Sequence, residues 1–162
     1  MPKQPPARPL DDQELEIWAS VATLLQRLPA ALDAQLLRDS GITHFEQGIL
    51  FALDRAPERR LRLSVLAAYA DCTLSRLSRA ITRLESRGWV RRETDLGDGR
   101  YTLGVLTDAG SEAVQQSTPA HQALVRRIVF DTLTPGQARQ LGALSARLSA
   151  AISPEPTWRP GD

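Results

Sequence analysis

A chain of 162 residues, 42% hydrophobic and 24% charged, is long enough for one compact domain with a buried core and too short for two large independent ones. No apolar run approaches the ~18 residues of a membrane-spanning helix. Met1 to Leu10 holds four prolines and no apolar core, which excludes a secretory signal and leaves a disordered tail, so a cytoplasmic protein without a membrane partner is expected. The single cysteine, Cys72, excludes an internal disulfide and a multi-cysteine metal site. His44 and His121 carry no metal-ligand spacing, and Gly97 and Gly99 lie in a polar turn rather than opening a helix. With no phosphate loop and no nucleophile elbow, the chain reads as a non-enzyme with no cofactor, metal or catalytic residue.

The net charge is +1, but its distribution is uneven. Met1 to Glu58 carries five basic and nine acidic side chains, Arg59 to Arg100 ten arginines and five acids, and Tyr101 to Asp162 five of each. A basic middle between acidic or neutral ends points to a local polyanion site.

In chain order, Asp11 and Asp12 cap a first long helix. Its face is Leu15, Trp18, Val21, Ala22, Leu25, Leu28, Leu32 and Leu36, ending near Gly41, with a kink or break expected at Pro29. Thr43 caps the next helix with Glu46 three residues on, and that helix stops before Pro57. Arg62 and Leu63 lead into a short helix capped by Ser64. Asp71-Cys72-Thr73 is a tight turn, and Thr73 caps a helix from Leu74 to Arg87, ended by Gly88. Leu74, Leu77, Ile81 and Leu84 are its inward positions, leaving Ser75, Arg76, Ser78, Arg79, Thr82 and Arg83 outward. Trp89–Thr94 and Tyr101–Leu106 favour strands and form a β-hairpin with a mobile tip over Asp95 to Arg100. Thr107 caps a fifth helix, with His121 placed near its start. Thr134-Pro135-Gly136-Gln137 opens the last helix, with Leu141, Leu144, Leu148 and Ile152 as its stripe. The residues 153–162 read as a tail with Trp158 exposed, whereas Trp18, Trp89 and a buried structural Cys72 belong to the core.

The expected fold class is mainly α with a small β-hairpin wing: residues 11–152 form one winged helix-turn-helix domain. Helix, tight turn, helix and hairpin in this order suit duplex DNA, because an α-helix fits the major groove. Ser75, Arg76, Ser78 and Arg79 near the start of the second of these helices suit base edges, Arg83 and Arg87 suit phosphates, and Arg100 at the wing suits a minor groove. The other reading is a winged-helix protein-interaction module without specific DNA binding, whose exposed face would be apolar or acidic.

The run Leu61-Arg62-Leu63-Ser64-Val65-Leu66-Ala67, the run Leu74 to Arg92, the wing Asp98-Gly99-Arg100 and the segment Leu106-Thr107-Asp108-Ala109-Gly110 stand in an order that resembles the MarR family (multiple antibiotic resistance regulators), over about Asp11 to Ile152. The resemblance implies a transcriptional regulator, a repressor or an activator with repressor the first reading, that binds an imperfect palindrome as a homodimer. It implies that residues 11–40 and 108–152 build the dimer while 43–106 form the DNA-binding lobe. It also implies that Arg100 enters the minor groove, that Asp98 orients arginines near the DNA face, and that a small aromatic or phenolic effector relieves binding. The cysteine through which some relatives sense oxidants lies on the first helix, which here has none.

Overall fold

The computed structural model describes residues 8–152 and Trp158. Of the expected tails, residues 1–7, 153–157 and 159–162 lie outside the described residues. The first helix, α1 (Asp12–Ser40), opens on a reciprocal cap: Asp11 Oδ1 accepts from the Glu14 N–H and Glu14 Oε2 accepts from the Asp11 N–H, both at 2.9 Å. Arg8 bonds both carboxylates at 3.0 and 3.1 Å. The expected break at Pro29 is absent, and α1 runs through it. Proline removes a single backbone donor, and well-capped turns on either side carry the helix past that loss.

Helix α2 (His44–Arg55) has the predicted Thr43–Glu46 capping box. Asp33 Oδ1 receives the His44 N–H at 2.6 Å and ties α2 to α1. A 3-10 turn, Pro57–Arg59, leads to strand β1 (Arg60–Arg62), which the sequence did not reveal. Helix α3 (Leu63–Tyr69) follows directly, with Arg62 at the cap position and no side-chain cap, so Ser64 lies inside the helix rather than capping it. Strand pairing delivers the chain to α3 in an extended conformation, and the start moves two residues earlier than a Ser64 cap suggests.

Thr73 caps helix α4 (Leu74–Ser86), its Oγ1 accepting from the Arg76 N–H at 3.2 Å. Leu77, Ala80, Ile81 and Leu84 are buried. Leu74, expected inward, is 56% exposed, because the first turn of α4 projects beyond the layer its later turns pack on. Gly88, at φ +73°, closes α4: its N–H bonds Glu85 O at 2.8 Å and the Trp89 N–H bonds Leu84 O at 3.1 Å. This pair of bonds needs a left-handed residue.

Strands β2 (Val90–Thr94) and β3 (Thr102–Leu106) form the predicted hairpin, in register Val90 with Leu106 and Thr94 with Thr102. Strand β1 adds to the other edge of β3, giving a three-stranded antiparallel sheet of order β1-β3-β2. Thr107 caps helix α5 (Asp108–Val125), which continues as a π-helical turn, Arg126–Phe130. Helix α6 (Pro135–Ile152) starts on the predicted Thr134–Gln137 cap. The fold is mainly helical with a winged helix-turn-helix at its centre, and none of the described helices is long and apolar enough to cross a membrane.

The core joins Leu36 of α1, Ile49, Leu50 and Leu53 of α2, Leu66 of α3 and Leu77, Ile81 and Leu84 of α4, with Val90, Leu106 and Val114 closing it. Outside it, two expected apolar stripes lack cover among the described residues. Leu15, Trp18 and Leu25 of α1 and Leu141, Leu144, Leu148 and Ile152 of α6 are exposed. Trp18, expected in the core, is 55% exposed because it sits on this uncovered half of α1. Trp158, expected exposed, is half-buried and meets Tyr69 edge to face, ring centroids 5.7 Å apart. Cys72 is half-buried at the edge of the core, and desolvation pushes its thiol pKa up, which disfavours the thiolate. His121 stands in the last third of α5, not near its start, since α5 opens at Asp108.

Gly110 lies in the first turn of α5 directly over the backbone carbonyl of Trp89, where a Cβ has no room. Replacing Gly110 by alanine therefore pushes α5 off the base of the hairpin, and the expected loss is about 1–3 kcal/mol in urea unfolding, the usual scale of overpacking. A variant as stable as the parent would show that α5 shifts freely.

Candidate nucleic-acid interface

The outward face of α4 is a shallow open concavity lined by Leu74, Ser75, Ser78, Arg79, Thr82 and Arg83. Ser75 and Arg79 stand one turn apart at its centre, as do Ser78 and Thr82 along its edge. Arg79 forms no ion pair among the described residues. Arg76 diverges from it, its guanidinium carbon lying 4.5 Å from the centre of the Phe45 ring of α2.

The other arginines of α4 turn toward the protein. Arg83 Nε donates to Glu46 Oε1 at 2.6 Å. Burial opposes ionisation of Glu46, but the Thr43 N–H and the Arg83 guanidinium outweigh it and hold the carboxyl below its ordinary 4.5. Arg87 donates to the carbonyls of Ser40 at 3.2 Å and Gly41 at 2.6 Å, and lies 4.9 Å over the Trp89 ring. It thus satisfies carbonyls that the end of α1 leaves without partners.

The wing has its own pair. Asp98 receives Arg100 Nε at 2.9 Å and Nη2 at 2.7 Å, and its Oδ1 also takes the Arg100 N–H at 3.2 Å. The Arg100 hydrogen bonds keep Asp98 ionised well below the usual range, while Arg100 itself is 84% exposed at the tip. Two arginines missed by the sequence reading build the base of this region. Arg62 of β1 donates to Asp95 Oδ2 at 2.7 Å and lies 4.2 Å over the Tyr101 ring, gripping both ends of the wing loop. Arg92 of β2 reaches α4, where Nη2 meets Ser78 O at 2.9 Å, Ser78 Oγ at 3.1 Å and Thr82 Oγ1 at 3.0 Å, and Nη1 pairs with Glu85. A signal for Arg92 was present: strand alternation puts it on the same side as Val90, which is buried against α4.

At the far end of the lobe the structure brings together two histidines that the sequence keeps apart. The His44 and His121 ring centroids are 5.4 Å apart, and His121 Nδ1 is 3.4 Å from Gln35 Oε1. The buried Nδ1 of His44 has no partner among the described residues.

A bare arginine- and serine-bearing helix face beside a wing tipped by an exposed arginine defines the winged helix-turn-helix regulators as the class. Residues 40–100 match the MarR family model. The chain is 41% identical to Sco3205 of Streptomyces coelicolor, a MarR family transcriptional regulator crystallised in complex with DNA, over 95% of this chain and 96% of that one, with a TM-score of 0.89. It is 32% identical to AbsC, a MarR family transcriptional regulator from the same organism, over 92% of this chain and 100% of that one, with a TM-score of 0.86. A mutant MarR from E. coli complexed with operator DNA shares the fold at 22% identity over 87% of this chain and 99% of that one, TM-score 0.73. No curated protein sequence matches the chain. The chain belongs to the MarR family, a family of transcriptional regulators and not of enzymes.

The Arg83–Glu46 pair gives a sign for pH dependence. Because the folded pKa of Glu46 is depressed, its contribution to stability is full above the unfolded value and is lost as pH falls through the folded one. Glu46→Gln should therefore lower stability at neutral pH and flatten the acid limb of a stability–pH curve below about pH 4.5, the ordinary carboxyl value. An unchanged acid limb in urea titrations would remove Glu46 from the linkage.

Proposed function

We propose that this protein is a homodimeric, sequence-specific DNA-binding repressor that inserts α4 into the major groove and the Arg100 wing into the adjacent minor groove. The observation that carries this is the uncommitted Arg79 among serines on a bare, arginine-bearing helix face. An acidic or apolar face would suit a protein partner better, whereas arginine and serine suit base edges and phosphates. The 41% identical relative crystallised with DNA supports the same reading. In this reading Ser75, Ser78 and Arg79 meet base edges, with Arg76 beside them. Arg83 is half-exposed beside the phosphates while still tied to Glu46, and Arg87 braces α4 against α1. Asp98 sets the direction of Arg100.

Dimerisation is assigned to residues 11–40 and 108–152, leaving 43–106 as the DNA-binding lobe. Support comes from the uncovered stripes of α1 and α6, which meet at an apolar cavity of about 390 Å³ lined by Leu24, Leu28, Ile128, Val129, Leu133, Leu141 and Leu144. Apolar surface on this scale is normally covered by a partner. A small aromatic or phenolic effector is assigned to the junction where His44, His121 and Gln35 meet, on the support of two rings for stacking and an imidazole nitrogen without a partner among the described residues.

Light scattering at micromolar concentration should give twice the 17.8 kDa chain mass, and a monomer at all concentrations would overturn the dimer. Binding sites selected from a random duplex pool should be imperfect palindromes with half-sites ~10 bp apart, and affinity should fall steeply with salt. Arg79→Ala should cost about 1–3 kcal/mol on the selected site and relax preference at one base pair. Arg100→Ala should instead flatten preference at the flanks of the site. Equal losses on every sequence would make both arginines phosphate contacts.

A further inference from the structure

Ser78, Thr82 and Glu85 follow one another at i, i+4 and i+7 along the edge of α4 that faces β2, and one arginine meets all three. The two protons of Arg92 Nη2 serve three acceptors, Ser78 Oγ at 3.1 Å, the Ser78 carbonyl at 2.9 Å and Thr82 Oγ1 at 3.0 Å, so one of them is shared. Arg92 Nη1 pairs with the Glu85 carboxylate, and the Arg92 backbone N–H bonds Glu85 Oε1 at 3.0 Å. The guanidinium is therefore fixed from both sides and lies behind the helix edge, not on the open face.

A hydroxyl has one proton and two lone pairs. Thr82 has spent its proton on the Ser78 carbonyl at 3.0 Å and one lone pair on Arg92. Ser78 has spent a lone pair on Arg92, yet its proton goes to no group among the described residues. This is unlike Ser20, Thr23 and Thr82, each of which donates to the carbonyl four residues back. Ser78 is exposed and lines the concavity. A guanidinium donor at hydrogen-bond distance, although paired with Glu85 through its other nitrogen, draws electron density from Oγ. It strengthens the O–H as a donor and repels any N–H that approaches the remaining lone pair.

We infer that Arg92 turns Ser78 into a one-way reader, a donor that selects a hydrogen-bond acceptor on the base edge it faces. This rests on the reading that α4 enters the major groove. There, purine N7, guanine O6 and thymine O4 accept, whereas cytosine offers only the donor N4. Ser78 therefore accepts adenine, guanine or thymine and rejects cytosine on the strand it faces. Arg92 touches no base and acts only through Ser78, as a positioning residue.

The test uses the full chain and its selected palindrome. Affinities are measured for every single-base variant, and for duplexes carrying 7-deazapurine, 6-thioguanine or 4-thiothymine in place of each acceptor. The parent should show one position per half-site at which cytosine costs about 3- to 10-fold, the scale of one net hydrogen bond, and at which the matching analogue costs the same. Ser78→Ala should be flat at that position and unchanged at all others. Arg92→Met should flatten the same position without altering the salt slope, because the freed hydroxyl can then accept as well as donate. A Ser78→Ala profile identical to the parent's, or a Ser78-dependent position that prefers cytosine, overturns the inference while leaving DNA binding intact. A folded Arg92→Met that keeps the cytosine penalty overturns the role of Arg92, and if that variant fails to fold, Arg92→Leu carries the same test. A chain that selects no duplex sequence overturns the underlying reading instead.

Discussion

A helix that presents a bare polar face must be held by everything else it touches. Helix α4 buries only Leu77, Ala80, Ile81 and Leu84, and that narrow apolar seam leaves rotation about the helix axis weakly opposed. Arginines supply the missing constraint on both flanks. Arg83 fastens α4 to Glu46 of α2, while Arg87 fastens its end to the last carbonyls of α1. Arg92 fastens the opposite edge to β2 through Ser78, Thr82 and Glu85. Planar, multi-donor guanidinium groups are suited to this, since each can hold two acceptors in fixed relation. The orientation of the outward face follows from these three ties, and so does any base preference it has.

The same bonds relate α4 to the helices that carry the uncovered apolar stripes. Arg87 spans from the end of α4 to the end of α1, and Asp33 of α1 holds the start of α2, to which Arg83 is tied. A displacement of the second half of α1 therefore reaches the last turn of α4 by two polar routes, directly at Arg87 and through α2 at Arg83. His121 of α5 and His44 of α2 stand at the same junction. This is a contiguous structural route between the two regions.

Local chemistry made much of the fold legible. The caps at Asp11, Thr43, Thr73, Thr107 and Thr134 each rest on a side chain and an N–H within three residues, so the sequence contains the whole interaction. The three residues of β1 have no such internal signature and become a strand only by pairing with β3 some forty positions later. Trp18 and Leu74 were misplaced for a related reason. Periodicity identifies a face but not whether anything covers it. For the candidate site, the outward residues of α4 followed from helix period, whereas the inward commitments of Arg83 and Arg87 depend on partners 37 and 46 residues away.

Those commitments change what the charge count means. Seven of the ten arginines between Arg59 and Arg100 meet an acid: Arg59, Arg60, Arg62, Arg83, Arg91, Arg92 and Arg100. Arg87 is spent on carbonyls and Arg76 lies over an aromatic ring. The apparent excess of basic charge is thus mostly structural, and Arg79 stands out as the side chain with neither kind of partner among the described residues. The paired arginines differ in how firmly they are held. Arg92 and Glu85 are largely shielded, so exchanging that pair for a phosphate would strand a carboxylate. Arg100 projects into solvent from a partly shielded Asp98, and an ion pair with so exposed a partner is worth little and is weakened by salt. A polyanion can therefore recruit Arg100 at low cost, while Arg92 stays with the helix it orients.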